Sequence, residues 1–306
     1  MIADLLDAAR ALQPDTVALR RDLHRHPEIG NDLPRTQGAV LDAIGDLGFD
    51  VRTGTRVTSV TATLDTGRPG GTMLLRGDMD ALPMPEDTDL DYASEVDGAI
   101  HACGHDAHTA MLASAARLLA DRADDLTGKV VFMFQPGEEG HHGARHMLEE
   151  GLLDGLHVTR AFAIHQSPIR AVSEHTRALV HAELERIATN IAAAHDMEVR
   201  FRIDDGFPVT VNDADAAAWV GDVARHIVSP DLVVDMPNPV MGAEDWSYVL
   251  QQVPGAMAFL GTCPPGVSFH QAAPNHSNRM VIDEDAMAVG VALYAATALD
   301  ELAPTG

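Results

Sequence analysis

Two adjacent carboxylates, Glu138 and Glu139, follow an apolar run, Val130-Val131-Phe132-Met133-Phe134-Gln135, after a Pro136-Gly137 punctuation. Neighbouring acids repel when both are ionised. A divalent cation resolves the conflict, because one carboxylate can ligate it while the other handles protons. Taken alone the pair also fits a solvated helix start, where acids are favoured. Other positions decide between the two. Arg76-Gly77-Asp78-Met79-Asp80 follows Thr72-Met73-Leu74-Leu75, and His165 follows Ala161-Phe162-Ala163-Ile164. HACGHDAHTA, at 101–110, sets Cys103 and His105 one residue apart, a thiolate and an imidazole able to grip one metal or bridge two. His276 stands in a polar loop, Asn275-His276-Ser277-Asn278, without apolar periodicity. Together these positions converge on a metal centre.

The runs that carry these residues are apolar on successive positions, as strands buried on both faces of a parallel sheet are. In such sheets chemistry collects beyond the carboxyl ends of the strands. Strands around 50–52, 59–64 and 72–77 are expected, then a loop at 79–104 and a helix from His105 to about Arg122. The strand before Glu138 leads to a helix through Met147 and Leu152-Leu153, and then to the strand ending at His165. This alternation predicts an α/β fold with helices on both faces of the sheet. Upstream, residues 2–27 read as helix interrupted near Pro14, and 35–47 as an amphipathic helix stopped by Gly48. Downstream, 173–194 reads as a helix capped by Ser173, with Val180, Leu184, Ile187 and Ile191 as its stripe. A strand at 199–203 should alternate Val199, Phe201 and Ile203 with Arg200 and Arg202, before a turn at Asp204-Asp205-Gly206. Helices follow at 213–227 and 243–252, a strand at 256–261, and a closing helix at 283–302. The dipole of the helix starting at His105 is expected to favour the thiolate of Cys103.

GDMDALPMPE, HACGHDAHTA, FQPGEEG, AIH and APNHSN, in that order, resemble the M20 metallopeptidase family, in its aminoacylase and hippurate-hydrolase branch. The likeness runs from LHRHPEIG at 23–30 to the last helix. It implies a zinc-peptidase-like catalytic domain with a mixed, mostly parallel sheet flanked by helices, and hydrolysis of N-acyl amino acids to a carboxylate and an amino acid. It implies two divalent ions per chain, manganese, zinc or cobalt, on Cys103, His105, Glu139, His165 and His276. Glu138 would take a proton from the attacking water and pass it to the departing amine, and Asp80 would orient a ligand histidine. The assignment of Glu138 against Glu139 rests on the resemblance alone. Other branches place a histidine where Asp78 lies.

Enzymes of this kind carry a lid domain after the third ligand strand, with a histidine that reaches a neighbouring subunit's site and an edge that pairs the dimer. Here Ser167-Pro168-Ile169-Arg170 runs into what resembles only the lid's second helix and last strand. The expected organisation is catalytic domain at 1–170 and 212–306, with a lid remnant at 171–211 and most of the homodimer surface gone. The remnant should pack on the main domain, pair with another copy, or stay loose. The competing reading is therefore a lid-deleted metal-binding protein with impaired catalysis.

Composition narrows the classes. With 21 basic against 46 acidic residues the chain carries a net charge of −25, which argues against nucleic-acid or anionic-membrane partners and favours solubility, while the resemblance implies a small-molecule substrate. The N-terminal MIADLLDAARALQPD lacks the basic and small-residue features of a secretory signal, so a cytoplasmic protein is expected. Two cysteines are too few for a disulfide framework, although a Cys103–Cys263 bridge is an alternative to ligation. His101, His108, His141, His142 and His270 are left as loop or surface histidines, with His101 and His142 the two to watch. Met79 and Met84 read as cleft packing, and Arg279 as either a substrate-carboxylate partner or a surface salt bridge.

Overall fold

A computed structural model describes residues 4–166, 174–194, 197–200, 206–236, 242–268 and 271–304. Among these, six strands form one mixed sheet in the order β1-β2-β4-β3-β5-β6. They are β1 (Asp50–Thr53), β2 (Val60–Asp65), β3 (Thr72–Asp78), β4 (Lys129–Gln135), β5 (Val158–Gln166) and β6 (Gly255–Leu260). β1 and β2 are antiparallel additions at one edge, while β4, β3, β5 and β6 run parallel.

The helices are α1 (Leu5–Arg25), α2 (Pro34–Ile44), α3 (His105–Ala120), α4 (Gly143–Glu149), α5 (Glu174–Ala194), α6 (Ala214–Ile227), α7 (Ser247–Leu250) and α8 (Met287–Glu301). The central strands bury both faces through the two-residue alternation of side chains. Met73 and Leu75, with Val130, Phe132, Phe134, Phe162 and Ile164, pack among residues of α1, α2, α3 and α8. Leu74, Val131, Met133, Ala161 and Ala163 pack with Met147 of α4 and with Trp246 and Val249 around α7.

The parallel ladder between β3 and β5 ends at Arg76↔Ala163, before either strand does. Tyr294 of α8 fills the split: its hydroxyl donates to Arg76 O at 2.6 Å and accepts from Ile164 N at 3.1 Å. Beyond it, His108 of α3 spans the gap, its Nδ1 donating to Asp78 Oδ1 (2.6 Å) and its Nε2 accepting from Gln166 N (2.8 Å). Two parallel strands thus diverge at their carboxyl ends and open the crevice where ligands bind in such sheets. α3 can approach this closely because Gly77 has no side chain; a Cβ there would stand 2.9 Å from His108 O.

Several expectations need correction. α1 runs unbroken through Pro14. Its buried stripe, Leu5, Ala9, Thr16, Arg20 and Leu23, packs against α3 and α8, and that tertiary burial outweighs the lost backbone bond. The helices foreseen through Leu153 and over 243–252 shrink to α4 and the single turn of α7. There the Asp245 carboxylate accepts from Gln135 Nε2 and Ala144 N, and the Glu244 carboxylate from Trp246 N, so side-chain bonding competes with helix for that backbone. Residues 197–200 carry no regular structure, and the rest of the strand foreseen at 199–203 lies outside the described residues, as do Ser173, Asp204, Asp205 and His270. Of the α5 stripe, Ile187 and Ile191 are exposed; the side chains of Val180 and Leu184 lie outside the described residues.

The Tyr294→Phe substitution should cost about 1–3 kcal/mol, since Ile164 N and Arg76 O lose a buried partner. Urea unfolding should show a lower midpoint with an unchanged slope. An unchanged midpoint would mean the split needs no polar filler.

Candidate metal centre

Each suspected ligand reaches the crevice from a different element. Cys103 sits in the turn before α3, His105 is the first residue of α3, and Glu139 follows β4. His165 lies near the end of β5, and His276 in the loop before α8. The structure brings all five together. Cys103 Sγ lies 3.5 Å from His165 Nε2, and His276 Nε2 lies 3.1 Å from Glu139 Oε1. Donor atoms of Cys103, Glu139 and His276 fall within 4.8 Å of one another, as do those of His105, Glu138 and Glu139, so Glu139 is common to both sets.

The imidazoles are oriented for ligation. His105 Nδ1 donates to Asp80 O at 2.8 Å, and His105 Nε2 is buried with no hydrogen-bond partner. His165 Nδ1 donates to Gln166 O at 2.7 Å, which leaves Nε2 turned to Cys103. A backbone acceptor on one nitrogen fixes the tautomer and presents the other to a cation. Glu139 Oε1 is also buried, with the His276 imidazole 3.1 Å away as its ion-pair partner. Unpartnered buried donors and acceptors are costly, and a divalent ion is what this mixture of sulfur, imidazole and carboxylate fits. His108 belongs to the same cluster of rings, but Asp78 and Gln166 occupy both its nitrogens, so it supports the site without ligating.

Asp80 does more than stand behind His105. Its Oδ1 accepts from Glu138 N (2.9 Å) and its Oδ2 from Glu139 N (3.0 Å), while Oδ1 also lies 3.3 Å from His105 Nδ1. One carboxylate therefore fixes the turn carrying both glutamates against the start of α3.

Sequence reasoning missed the charged floor beneath Glu138. Arg76 is fully buried and pairs with Asp78 (2.6 Å), Glu244 (2.9 Å) and Asp245 (3.2 Å), and its Nε donates to Gln135 Oε1. Carboxylate oxygens of Glu138, Glu244 and Asp245 lie within 4.8 Å of one another. Burial, then the charges of Glu244 and Asp245, hold Glu138 well above the usual carboxylate range. Burial pushes Asp245 up to about 8 against the pull of Arg76. Asp78 goes the other way: burial opposes its charge, but Arg76, His105 and His108 hold its carboxyl well below the usual range. The signal for this floor was an arginine inside a strand otherwise buried on both faces, where a charge needs buried partners.

Burial works against the thiolate that the dipole of α3 is expected to favour at Cys103. It pushes the thiol up to about 12 against the pull of His105, and a cation beside the sulfur would favour the thiolate. Cys103 and Cys263 are both free thiols, the first buried and the second exposed, which removes the bridge alternative. His101 is buried with neither ring nitrogen bonded, and burial pulls it down to about 3. His142 adopts a positive φ of 58° and meets the Tyr248 hydroxyl at 2.9 Å, and His141 is exposed. Arg279 pairs with Asp87 at 2.7 Å as an exposed salt bridge. Met79 is buried as packing and Met84 is half-buried. No helix among the described residues is long and apolar enough to cross a membrane.

A model of peptidase family M20/M25/M40 matches residues 74–300. The chain is similar to thermostable carboxypeptidase 1 of Saccharolobus solfataricus, at 28% identity over 98% of this chain and 98% of the relative. That alignment spans 395 positions against the 306 residues here, so the relative carries stretches without a counterpart in this chain. N-acetyl-L-cysteine deacetylase of Bacillus subtilis is 38% identical over 161 residues, which are 53% of this chain and 38% of that one. Among solved structures, the Bacillus subtilis YXEP protein, described as a dinuclear metal binding peptidase from the M20 family, superposes with a TM-score of 0.83. It is 25% identical over 95% of this chain and 98% of that chain.

Protons should compete with metal here. Cys103 is held as a thiol; burial opposes the charge on His105, but Asp78 and Cys103 outweigh it and hold that imidazole well above its ordinary value. Both must lose a proton to ligate, so divalent-metal affinity should rise with pH by about tenfold or more per unit between roughly pH 6 and 8. Competition titrations with a chelating dye at several pH values would show this. A pH-independent affinity would contradict the assignment of these two ligands.

Proposed function

The chain belongs to peptidase family M20/M25/M40, and on that premise we propose that it hydrolyses the amide bond of N-acyl amino acids with the help of two divalent ions. Membership makes it a hydrolase of the amidohydrolase and deacetylase kind. The narrower reading is carried by the convergence of Cys103, His105, Glu139, His165 and His276 around a buried carboxyl group, Glu138, whose affinity for a proton is raised above that of an ordinary carboxylate. The named relatives support the substrate class. One is a deacetylase of N-acetyl-L-cysteine and another a carboxypeptidase, and the bond before a C-terminal residue is also the amide of an N-acyl amino acid.

When bound, the ions supply positive charge that polarises the scissile carbonyl and eases ionisation of the attacking water. Manganese, zinc and cobalt all suit the donor set, with Cys103 favouring the softer of them. The protein's own groups do the rest. Asp80 holds the backbone of Glu138 and Glu139 and so fixes where the Glu138 carboxylate points. Glu138 Oε takes the proton of the attacking water and gives it to the leaving amine nitrogen, a task for which a raised carboxyl suits neutral pH. Arg76, paired below with Asp78, Glu244 and Asp245, keeps that floor from being purely anionic.

Residues 171–211 fit a remnant of a lid between catalytic segments at 1–170 and 212–306. Supporting this, the aligned carboxypeptidase carries stretches absent here, and Ile187 and Ile191 of α5 are exposed. The end of that segment meets the main domain: Thr210 Oγ donates to Glu244 O, and Asn212, the first residue after it, exchanges two side-chain hydrogen bonds with the backbone of Met257 in β6. The short segment favours a second reading, a metal-binding protein with little turnover.

Assays of amine release from N-acetyl- and N-benzoyl-amino acids, with added manganese, cobalt or zinc, separate the two. Chelator-sensitive turnover, with Glu138→Gln lowering kcat by about 10²–10⁴ at unchanged metal content, is the expected result. Retained metal without turnover favours the second reading, and absence of bound metal contradicts both.

A further inference from the structure

Gln166, the last residue of β5, lies on the strand face that also carries Phe162 and Ile164 and that packs against the helices α1, α3 and α8. It is 1% exposed, and an apolar side chain would satisfy that position by packing alone. Instead every polar atom it has is engaged. Its backbone N–H donates to His108 Nε2 at 2.8 Å. Its carbonyl accepts from His165 Nδ1 (2.7 Å) and from Asn275 Nδ2 (3.0 Å). Its side-chain Nε2 donates to Cys103 O (2.8 Å) and to Asn275 Oδ1 (3.1 Å), and its Oε1 accepts from Thr262 Oγ (2.7 Å).

These partners belong to three ligand segments. Cys103 and His165 are ligands themselves, and Asn275 precedes His276. Asn275 Nδ2 also stands 3.6 Å from Cys103 Sγ, and His276 N donates to Ala102 O at 2.7 Å, so the two outer loops are stitched to each other as well. The turn before α3 is moulded on this side chain. Gly104 has φ +82°, and a Cβ on it would stand 2.4 Å from Gln166 Cγ. His276, with a positive φ of 63°, is held in a backbone conformation that a non-glycine residue adopts only when its surroundings enforce it.

Metal affinity depends on groups that fix ligands in place, and losing one such partner weakens binding tenfold to a hundredfold in characterised sites. We propose that Gln166 is a positioning residue. Its one carboxamide sets the spacing between the Cys103 and His276 loops about His165, and with it the affinity and sulfur geometry of the ion that Cys103 ligates. This rests on the metal-centre reading above.

The test is titration of metal-free protein with Co²⁺, followed by the sulfur-to-cobalt charge-transfer absorption, for wild type, Gln166→Ala, Gln166→Glu and Thr16→Val. Gln166→Glu is isosteric and keeps an acceptor for Thr262 while removing the donors to Cys103 and Asn275; it carries the test if the alanine variant does not fold. Thr16→Val removes a buried hydroxyl contact to Ser114 on the far side of α3 and controls for general loss of stability. Both Gln166 variants should bind cobalt about 10- to 100-fold more weakly, with a shifted charge-transfer band, and Thr16→Val should bind it as wild type does. Wild-type titrations for the Gln166 variants overturn the proposal while leaving the metal centre intact, as does an equal loss in Thr16→Val. A wild-type protein with no charge-transfer band overturns the metal centre and this proposal together.

Discussion

Too many acids share one buried place. Asp78, Asp80, Glu138, Glu244 and Asp245 are buried at the carboxyl ends of the central strands, with Glu139 beside them, and Arg76 lies among them as the guanidinium that pairs with three. Buried carboxylates persist only when paired, protonated or bound to a cation. Arg76 pairs directly with Asp78, Glu244 and Asp245, yet burial among neighbouring acids still holds the carboxyls of Glu138, Glu244 and Asp245 above their usual range. His105 Nε2, buried without a hydrogen bond, and Glu139, paired with His276, face the side where Cys103 and His165 converge. The arrangement is one in which divalent cations complete the charge balance.

The fold is built to hold that crowding open. Tyr294 and His108 fill the divergence of β3 and β5, so the acids of one strand and the imidazole of the other face across a gap of fixed width. A second buried network, away from the crevice, secures the start of α3. Arg20 and His24 of α1 both meet Asp106 Oδ2, at 2.8 and 2.7 Å, and Arg20 also pairs with Glu284 just before α8. Asp106 directly follows His105 in α3, so α1, which contributes no candidate ligand, helps fix the register of His105. Charge-assisted bonds between buried groups are strong when complete and costly when broken, which makes them effective locks.

Much of this could be read from residue types. The residues that the structure brings together stood out in the sequence because each breaks a local pattern: a thiol and an imidazole in a Gly-Ala turn, an imidazole ending an apolar strand, paired acids after Pro136-Gly137. The sheet and its flanking helices followed from apolar runs of strand length separated by helical periodicity. The supporting residues were less legible. Glu244 and Asp245 look like acids at a helix start, and only tertiary placement reveals that Asp245 takes the Ala144 N–H and both acids face Arg76. Gln166 is one polar residue at a strand end, and its hydrogen bonds reach partners about 60 to 110 positions away that no periodicity announces. Pro14 was misread for a related reason: local propensity marks a break, while packing of α1 on α3 and α8 keeps the helix whole.

The most direct test is anomalous scattering from crystals grown with manganese or zinc, recorded on both sides of the metal's absorption edge. The account predicts two peaks in the crevice between β3 and β5, each within coordinating distance of donors drawn from Cys103, His105, Glu139, His165 and His276. Peaks elsewhere on the molecule, or none at saturating metal, would contradict it.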